Sequence, residues 1–176
     1  MIEGPQILIF YRWSSEIPGA EQQPAVVARL LADELRIYGW EAWIDKKSLT
    51  VGSQDLRDTI ISELDKGKIA IISIGVGDLG RCAAADDFFR WEIDAVRNLE
   101  KERKLQVAII VHGTAVPEDL ICGKSKDIKK RRQRMRSLGP WGQDILEYLT
   151  THYVIYFNNI DQVEAIVHKV ILLVKE

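Results

Sequence analysis

The chain has 176 residues, of which 47% are hydrophobic, and its formal net charge is −2. This length suits one domain with a substantial core, so we expect residues 1–176 to form a single domain, either alone or excised from a longer chain. No apolar run approaches the roughly 20 residues of a membrane-spanning helix, and the small charge gives no general attraction to nucleic acid or membranes. Two cysteines without metal or redox spacing, and no signal-like N-terminus, predict a soluble cytoplasmic protein with no bound metal.

The first part of the chain alternates between strand and helix patterns. Gln6–Tyr11 is a short apolar run with β-branched and aromatic residues, which is typical of a buried strand. Apolar residues then recur at helical spacing over Pro24–Gly39, and Trp40–Asp45 is the second predicted strand. After a polar loop at Lys46–Gly52, we expect a helix over Ser53–Gly67, with a serine cap at its first residue and a glycine stop at its last.

The middle of the chain contains the most continuous apolar run. Strands buried on both faces are unbroken apolar runs, so Ile69–Ile74 is predicted to be the centre of a parallel sheet. A loop at Val76–Ala85 leads into a helix over Asp86–Val96, and Leu105–His112 is the fourth predicted strand. An irregular, partly helical stretch separates it from the fifth.

The last part of the chain predicts one more strand and one more helix. Tyr153–Asn158 has the strand pattern, and Asp161 is predicted to cap a final helix. The whole order of elements predicts an α/β fold of the flavodoxin-like, doubly wound type, with helices on both faces of a five-stranded parallel sheet in the order 2-1-3-4-5. In that topology the ligand crevice lies outside the carboxyl ends of strands 1 and 3.

The helix at Asp86–Val96 carries the pattern that matters most for function. It places Glu92 near its start, one turn after Phe88 on the same face, so an aromatic ring and a carboxylate should stand side by side. The helix dipole alone favours a glutamate in a first turn, so the pattern also suits a surface acid beside core packing. Its predicted place beside the crevice between strands 1 and 3 favours a ligand site.

With these residues in place, the chain resembles a TIR domain, and in particular the branch of bacterial and axon-degeneration TIR domains that cleaves NAD. Ile9–Arg12 matches the first-strand motif, which ends in Ser-Tyr-Arg, with Phe10 at the serine position. Trp43–Asp45, followed by Leu49 and Gly52, matches the second strand and the BB loop of that family.

The third motif of the family is Asp-Trp, then three residues, then Glu and an aliphatic residue. Asp87–Ile93 has this spacing, with Phe88 in place of the tryptophan. The resemblance covers Gln6–Thr114, and the remainder of the chain only by its order of elements. Phe10 replaces a hydroxyl group at the strand end, and Phe88 keeps a stacking face but lacks an indole donor, while the carboxylate of the motif is present.

The resemblance implies an NAD-consuming N-glycosidase, a hydrolase of the NAD nucleosidase or ADP-ribosyl cyclase type. It would release nicotinamide and leave ADP-ribose or a cyclic isomer, with NAD as substrate and no cofactor or metal. By the same resemblance Glu92 is catalytic, and the substrate-binding residues are Tyr11, Arg12, Trp13, Asp45 and Phe88. Trp13 also suits ordinary packing, and Asp45 suits a turn at a strand end.

The resemblance also implies a mode of regulation. TIR domains are commonly switched on by self-assembly, in which the BB loop of one copy completes the site of its neighbour. We therefore expect a single TIR-like domain that is idle as a monomer, binds other TIR domains, and acts in antiviral defence or stress signalling.

Two other classes of protein share this fold. In a non-catalytic TIR adaptor, the Lys46–Gly52 loop and the helix faces would mediate contacts between TIR domains, but adaptors often lack the glutamate that is present here as Glu92. A phosphate-receiving regulator would need acidic residues at several strand ends, including the first. That strand ends in Tyr11, Arg12 and Trp13, which argues against this class.

A basic segment lies in the irregular stretch. Lys124–Arg136 contains eight Lys or Arg residues and one Asp, a local charge of +7 that leaves −9 for the rest of the chain. Such a segment can bind nucleic acid or an acidic partner. A solvated loop or helix face is favoured here, because no regular aromatic interleaving accompanies the charges.

Overall fold

A computed structural model describes residues 6–12, 22–44, 53–102, 104–113, 115–116, 136 and 138–174. The strands are β1 (Gln6–Tyr11), β2 (Ala42–Ile44), β3 (Gly67–Ile74), β4 (Gln106–His112) and β5 (Val154–Phe157). The helices are α1 (Gln22–Ile37), α2 (Ser53–Lys66), α3 (Asp78–Arg81), α4 (Phe88–Lys101), α5 (Gly139–Thr150) and α6 (Val163–Val174), with a 3-10 turn at Ile160–Gln162 before α6.

The five strands form one parallel sheet in the order β2-β1-β3-β4-β5. The predicted fold class and strand order are therefore confirmed. Ile69–Ile74 pairs with β1 on one side and with β4 on the other, as its continuous apolar run predicted. Every residue of β3 except Lys68 is buried, because helices cover both faces of the sheet at its centre.

Alternation along the strands divides the core into two layers. Ile7, Ile9 and Tyr11 of β1 face α1 and α6, and they pack with the apolar faces of those two helices. Leu8 and Phe10 point to the opposite side, where they pack with apolar residues of α2, α3, α4 and α5. The two layers matter for function, because side chains at the same end of the sheet can face different helices.

Gly67 differs from its prediction as the stop of a helix. The α2 helix ends at Lys66, and Gly67 is already the first residue of β3. A Cβ atom at this position would collide with the side chain of Leu8 on the neighbouring strand. Glycine therefore suits this position because the Leu8 side chain approaches closely, and not because of a left-handed backbone at a helix end.

Two other element boundaries were predicted wrongly. Trp40 does not begin β2, because its N–H donates to the carbonyl of Leu35 at 3.0 Å and Gly39 has a φ of 82°, so both belong to the end of α1. Asp161 does not cap the last helix. It lies inside the 3-10 turn that precedes α6. Asn159 caps this turn, since its side chain accepts from the N–H of Asp161 while the Gln162 side chain accepts from the N–H of Asn159.

Across the described ranges, no helix is both long enough and apolar enough to cross a membrane.

Substitution of Gly67 tests the close packing between α2, β3 and β1. Gly67→Ala should lower the free energy of unfolding by about 1–3 kcal/mol, the usual effect of forcing extra atoms into a packed core. Gly80→Ala in α3 is the matched control, since a Cβ atom there would have no heavy atom within 4 Å. It should change stability by less than about 0.5 kcal/mol. Urea denaturation measures both, and equal effects would contradict the packing described here.

Candidate functional site

The α4 helix positions Glu92. Asp87 is its N-cap, and the carboxylate of Asp87 accepts from the N–H of Arg90 at 2.9 Å, so the helix begins at Phe88. Glu92 consequently lies in the second turn of α4, whereas the sequence analysis had placed it in the first turn. Its side chain is only 1% exposed, on the inward face that also buries Phe89, Ile93 and Val96. The alternative of a surface acid is therefore wrong.

Phe88 lies one turn before Glu92, as predicted, but its ring has other neighbours as well. The ring centroid is 5.4 Å from that of Trp91. The guanidinium carbon of Arg57, on α2, lies 5.9 Å from the Phe88 centroid and 5.1 Å from the Trp91 centroid. Phe88 thus belongs to a half-buried stack between α2 and α4. Sequence reasoning missed Trp91, although its spacing of three residues from Phe88 on one helix indicates such a contact.

Arg12 follows β1 and is buried in an ion cluster with two aspartates. Its Nε atom donates to Asp78 Oδ1 at 3.0 Å, and its Nη1 and Nη2 atoms donate to Asp87 Oδ2 and Oδ1 at 2.6 and 2.9 Å. Nη2 also lies 3.1 Å from the sulfur of Cys82. All three guanidinium nitrogens are therefore used inside the protein. This cluster joins the end of β1 to α3 and to the cap of α4.

Asp78 is the member of this cluster that sequence reasoning missed. Its Oδ2 atom accepts from the N–H of Gly75 at 2.6 Å, directly after β3. Burial raises the pKa of Asp78, and the Gly75 N–H and Arg12 oppose that rise. Burial would also raise the pKa of Asp87, but hydrogen bonds from Arg12 and the Arg90 N–H hold it below the ordinary value. The cluster occupies the carboxyl ends of β1 and β3, where the fold predicts a crevice.

Tyr11 lies on a different side of the sheet from Glu92. It is fully buried and faces α1 and α6, whereas the inward face of α4 packs on the opposite layer. Tyr11 and Arg12 are neighbours in the sequence motif, but successive side chains point in different directions, so the two residues contact different helices. Trp13, Asp45 and the Lys46–Gly52 loop lie outside the described residues, so their predicted roles stay predictions. The same holds for the basic segment, of which the structure describes only Arg136.

A polar seam holds the outer side of α4 against α5. Its hydrogen bonds are those from Trp141 Nε1 to Asp94 Oδ1 (3.1 Å), from Arg97 Nη2 to Asp144 Oδ2 (2.8 Å), from the Tyr148 hydroxyl to Glu100 Oε2 (2.6 Å), and between His152 Nε2 and Glu100 Oε1 (2.6 Å). Burial would lower the pKa of His152, but its bond to Glu100 raises it. Glu92 therefore sits on a helix that is fixed at its cap by Arg12 and along its length by α5.

Cys82 contributes to the ion cluster as a neutral thiol. It is buried, and burial raises the pKa of the thiol above its ordinary value. Its sulfur donates to Asp87 Oδ1 at 3.4 Å. No group of three or more His, Cys, Asp or Glu side chains converges to hold a metal ion anywhere in the ranges that the structure describes.

Comparison with known proteins bears on the fold. No protein-family model and no curated protein matches the chain. Among solved structures, the TIR domains of the activated Roq1 resistosome, which directly recognizes the pathogen effector XopQ, match with a TM-score of 0.59 and 12% sequence identity. The match covers 98% of this chain and 100% of that chain. This chain has the TIR-domain fold. The predicted resemblance is confirmed at the level of the fold, and Glu92 lies on the third large helix of that TIR fold.

Replacement of Arg12 tests whether the ion cluster supports the TIR fold. Arg12→Gln leaves two carboxylates without their cation, and breaking a buried ion pair in this way typically costs about 3–5 kcal/mol of stability. Arg36→Gln is the control, because Arg36 makes an ion pair of 2.6 Å with Asp33 in which both side chains are largely exposed. Its loss should cost less than about 1 kcal/mol. Denaturant unfolding compares the two variants, and similar losses would contradict the account of the cluster.

Proposed function

We propose that this TIR-fold protein cleaves NAD at the bond between nicotinamide and ribose, with Glu92 as the catalytic carboxylate. The observation that carries the proposal is the burial of Glu92 on the inward face of α4, at the position of the glutamate in the family motif. A carboxylate on a core face gives up its contact with water, a loss that an apolar residue at this position would not have. Departures of this kind from good packing are expected at functional sites.

The chemistry needs only one carboxylate. Nicotinamide carries a positive charge while it is bonded to the ribose and leaves as a neutral ring, so no general acid has to protonate it. The ribosyl carbon becomes oxocarbenium-like as the bond breaks, and a nearby carboxylate stabilises the positive charge. Burial strengthens this attraction, because the interior screens charges less than water does. Water, or a second atom of the same substrate, then completes the reaction to ADP-ribose or a cyclic isomer.

The remaining predicted residues have proposed roles in binding NAD. Phe88 offers a ring for stacking, with Trp91 and Arg57 as supports that limit its movement. Arg12 can contact the diphosphate of NAD only if it exchanges a carboxylate for a phosphate, and both groups suit the bidentate geometry of a guanidinium. Asp87 is the carboxylate that competes most directly with the diphosphate for Arg12, because two nitrogens of Arg12 bond to it. Tyr11, Trp13 and Asp45 remain proposed contacts on the strength of the motifs.

Self-assembly is the proposed switch. Glu92 is 1% exposed in the isolated chain, so substrate can reach it only after a rearrangement near the cap of α4. The solved TIR domains with the same fold belong to an activated resistosome, which is an assembly. We propose that contacts with other copies of this chain open the site, and that NAD consumption then serves antiviral defence or stress signalling.

The test is a charge-removing substitution of Glu92. Glu92→Gln keeps the size and hydrogen-bonding capacity of the side chain, so the loss of one electrostatic contact with the transition state should slow nicotinamide release on the order of a hundredfold or more. Release is measured by chromatography under conditions that promote assembly. Glu102→Gln, an exposed acid at the end of α4, is the control and should retain wild-type activity.

Both variants are compared at a matched melting temperature and assembly state. Equal cleavage by wild type and Glu92→Gln would exclude Glu92 as the catalytic residue. If assembled wild-type protein released no nicotinamide, a non-catalytic adaptor that acts through contacts between TIR domains would replace the enzyme as the better function.

A further inference from the structure

A cleft lies at the carboxyl end of the sheet, away from Glu92. Its volume is about 370 Å³, and it lies between the first turns of α1 and the segment that follows β5. The lining residues on α1 are Gln23, Val26 and Val27, and those after β5 are Phe157, Asn158, Asn159 and Ile160. We propose that this cleft binds an uncharged nucleobase or nucleoside. The proposal does not depend on the cleavage of NAD.

The position of the cleft separates it from the proposed catalytic site. Val27 and Phe157 belong to the core layer between the sheet and helices α1 and α6. Phe89 and Ile93, which flank Glu92 on α4, belong to the layer on the other side of the sheet. The cleft nevertheless lies where strands end and helices begin, which is the edge at which doubly wound folds bind ligands. A ligand there would be a separate occupant and not a part of the site around Glu92.

The chemistry of the lining selects the class of ligand. Among the described lining residues none is charged, so burying a phosphate or carboxylate against them would cost free energy that no cation offsets. Val26 and Ile160 are exposed apolar side chains at the rim, and Val27 and Phe157 are buried below them. Apolar walls of this kind favour a ligand with a flat aromatic ring over a free sugar, whose hydroxyl groups would lose their contacts with water.

Two carboxamides supply the polar contacts. The Asn159 side chain is used in the cap of the 3-10 turn, where it bonds to the N–H of Asp161. Gln23 on α1 and Asn158 after β5 also line the cleft, one on each wall. Each carboxamide offers one donor group and one acceptor. Nucleobase edges present neighbouring donors and acceptors, and Asn and Gln pair with adenine in this way. The volume lies at the low end of the range for small-molecule sites, which suits a nucleoside better than a dinucleotide.

The floor of the cleft is fixed by a buried polar pair. The Phe157 ring lies 5.1 Å from the ring of His112, and the Phe157 carbonyl accepts from the N–H of Gly113 at 2.9 Å. His112 Nε2 and the Ser73 hydroxyl are 2.6 Å apart, and both side chains are buried. Burial lowers the pKa of His112 to about 4, so the imidazole behind the floor is neutral at pH 7. The floor is therefore both held in place and uncharged, and a preformed site loses less entropy on binding.

Binding of adenosine to the full chain tests the proposal. We expect adenosine to show saturation-transfer signals and a measurable heat of binding, and ribose 5-phosphate to show neither. The double variant Gln23→Ala/Asn158→Ala removes both carboxamides and should weaken adenosine binding by about fivefold or more, since two hydrogen-bonding groups are lost. Gln106→Ala/Gln143→Ala removes two exposed carboxamides elsewhere and is the matched control.

A second variant tests the volume of the cleft. Val26 is exposed at the rim, so Val26→Trp can fill the cleft without disturbing the core, and it should abolish binding while the melting temperature stays near that of the wild type. No binding of adenosine at millimolar concentration would overturn the proposal. So would equal affinity of the wild type and the double variant, or binding of ribose 5-phosphate as tight as that of adenosine.

Discussion

The ion cluster of Arg12, Asp78 and Asp87 is the interaction on which the arrangement of this protein's functional end depends. One guanidinium joins the end of β1 to α3 and to the cap of α4, with three of its bonds at 3.0 Å or less. Because the cluster is buried, its partners cannot be replaced by water without loss of stability. The first turn of α4, and with it the place of Glu92, follows from where this arginine holds Asp87.

For the proposed NAD cleavage, the same cluster sets stability against access to Glu92. A closed, buried Glu92 would be a strong stabiliser of positive charge, but a closed site admits no substrate. The bonds between Arg12 and Asp87 and the polar seam with α5 both favour the closed arrangement. Contacts with other copies would have to offset part of that stability, which gives self-assembly a physical reason to act as the switch. The cleft proposed to bind a nucleoside lies in the other core layer, so its occupation would leave this closure undisturbed.

Sequence patterns predicted the fold better than the site. The strand order and the central place of Ile69–Ile74 follow from local signals, since a strand covered on both faces has to be an apolar run. The helical spacing of Phe89, Ile93 and Val96 likewise defines the buried face of α4, and Glu92 falls on that face. The sequence had placed Glu92 in the first turn of that helix, but the helix begins at Phe88, so Glu92 lies in the second turn. The start depends on which aspartate caps it, and Asp86 and Asp87 are equally good caps in sequence.

Other features have no local signal. Asp78 and Asp87 are 66 and 75 residues from Arg12 in the chain, and only the folded sheet brings them to its side chain. Gly67 and Asp161 look like a helix stop and a helix cap, but contact with Leu8 and the bond to Asn159 decide their roles. The pairing of Ser73 with His112 also depends on the neighbouring strands. Long-range packing therefore determines the geometry around Glu92 and the geometry of the cleft between α1 and the end of β5.

The central claim is that the isolated chain is a closed enzyme that self-assembly opens. The most direct measurement is nicotinamide release from NAD per unit of protein, across a range of protein concentrations in which light scattering reports the state of assembly. We predict that specific activity is near zero for the monomer and rises with the assembled fraction. Equal specific activity at all concentrations, or none from fully assembled protein, would contradict the account.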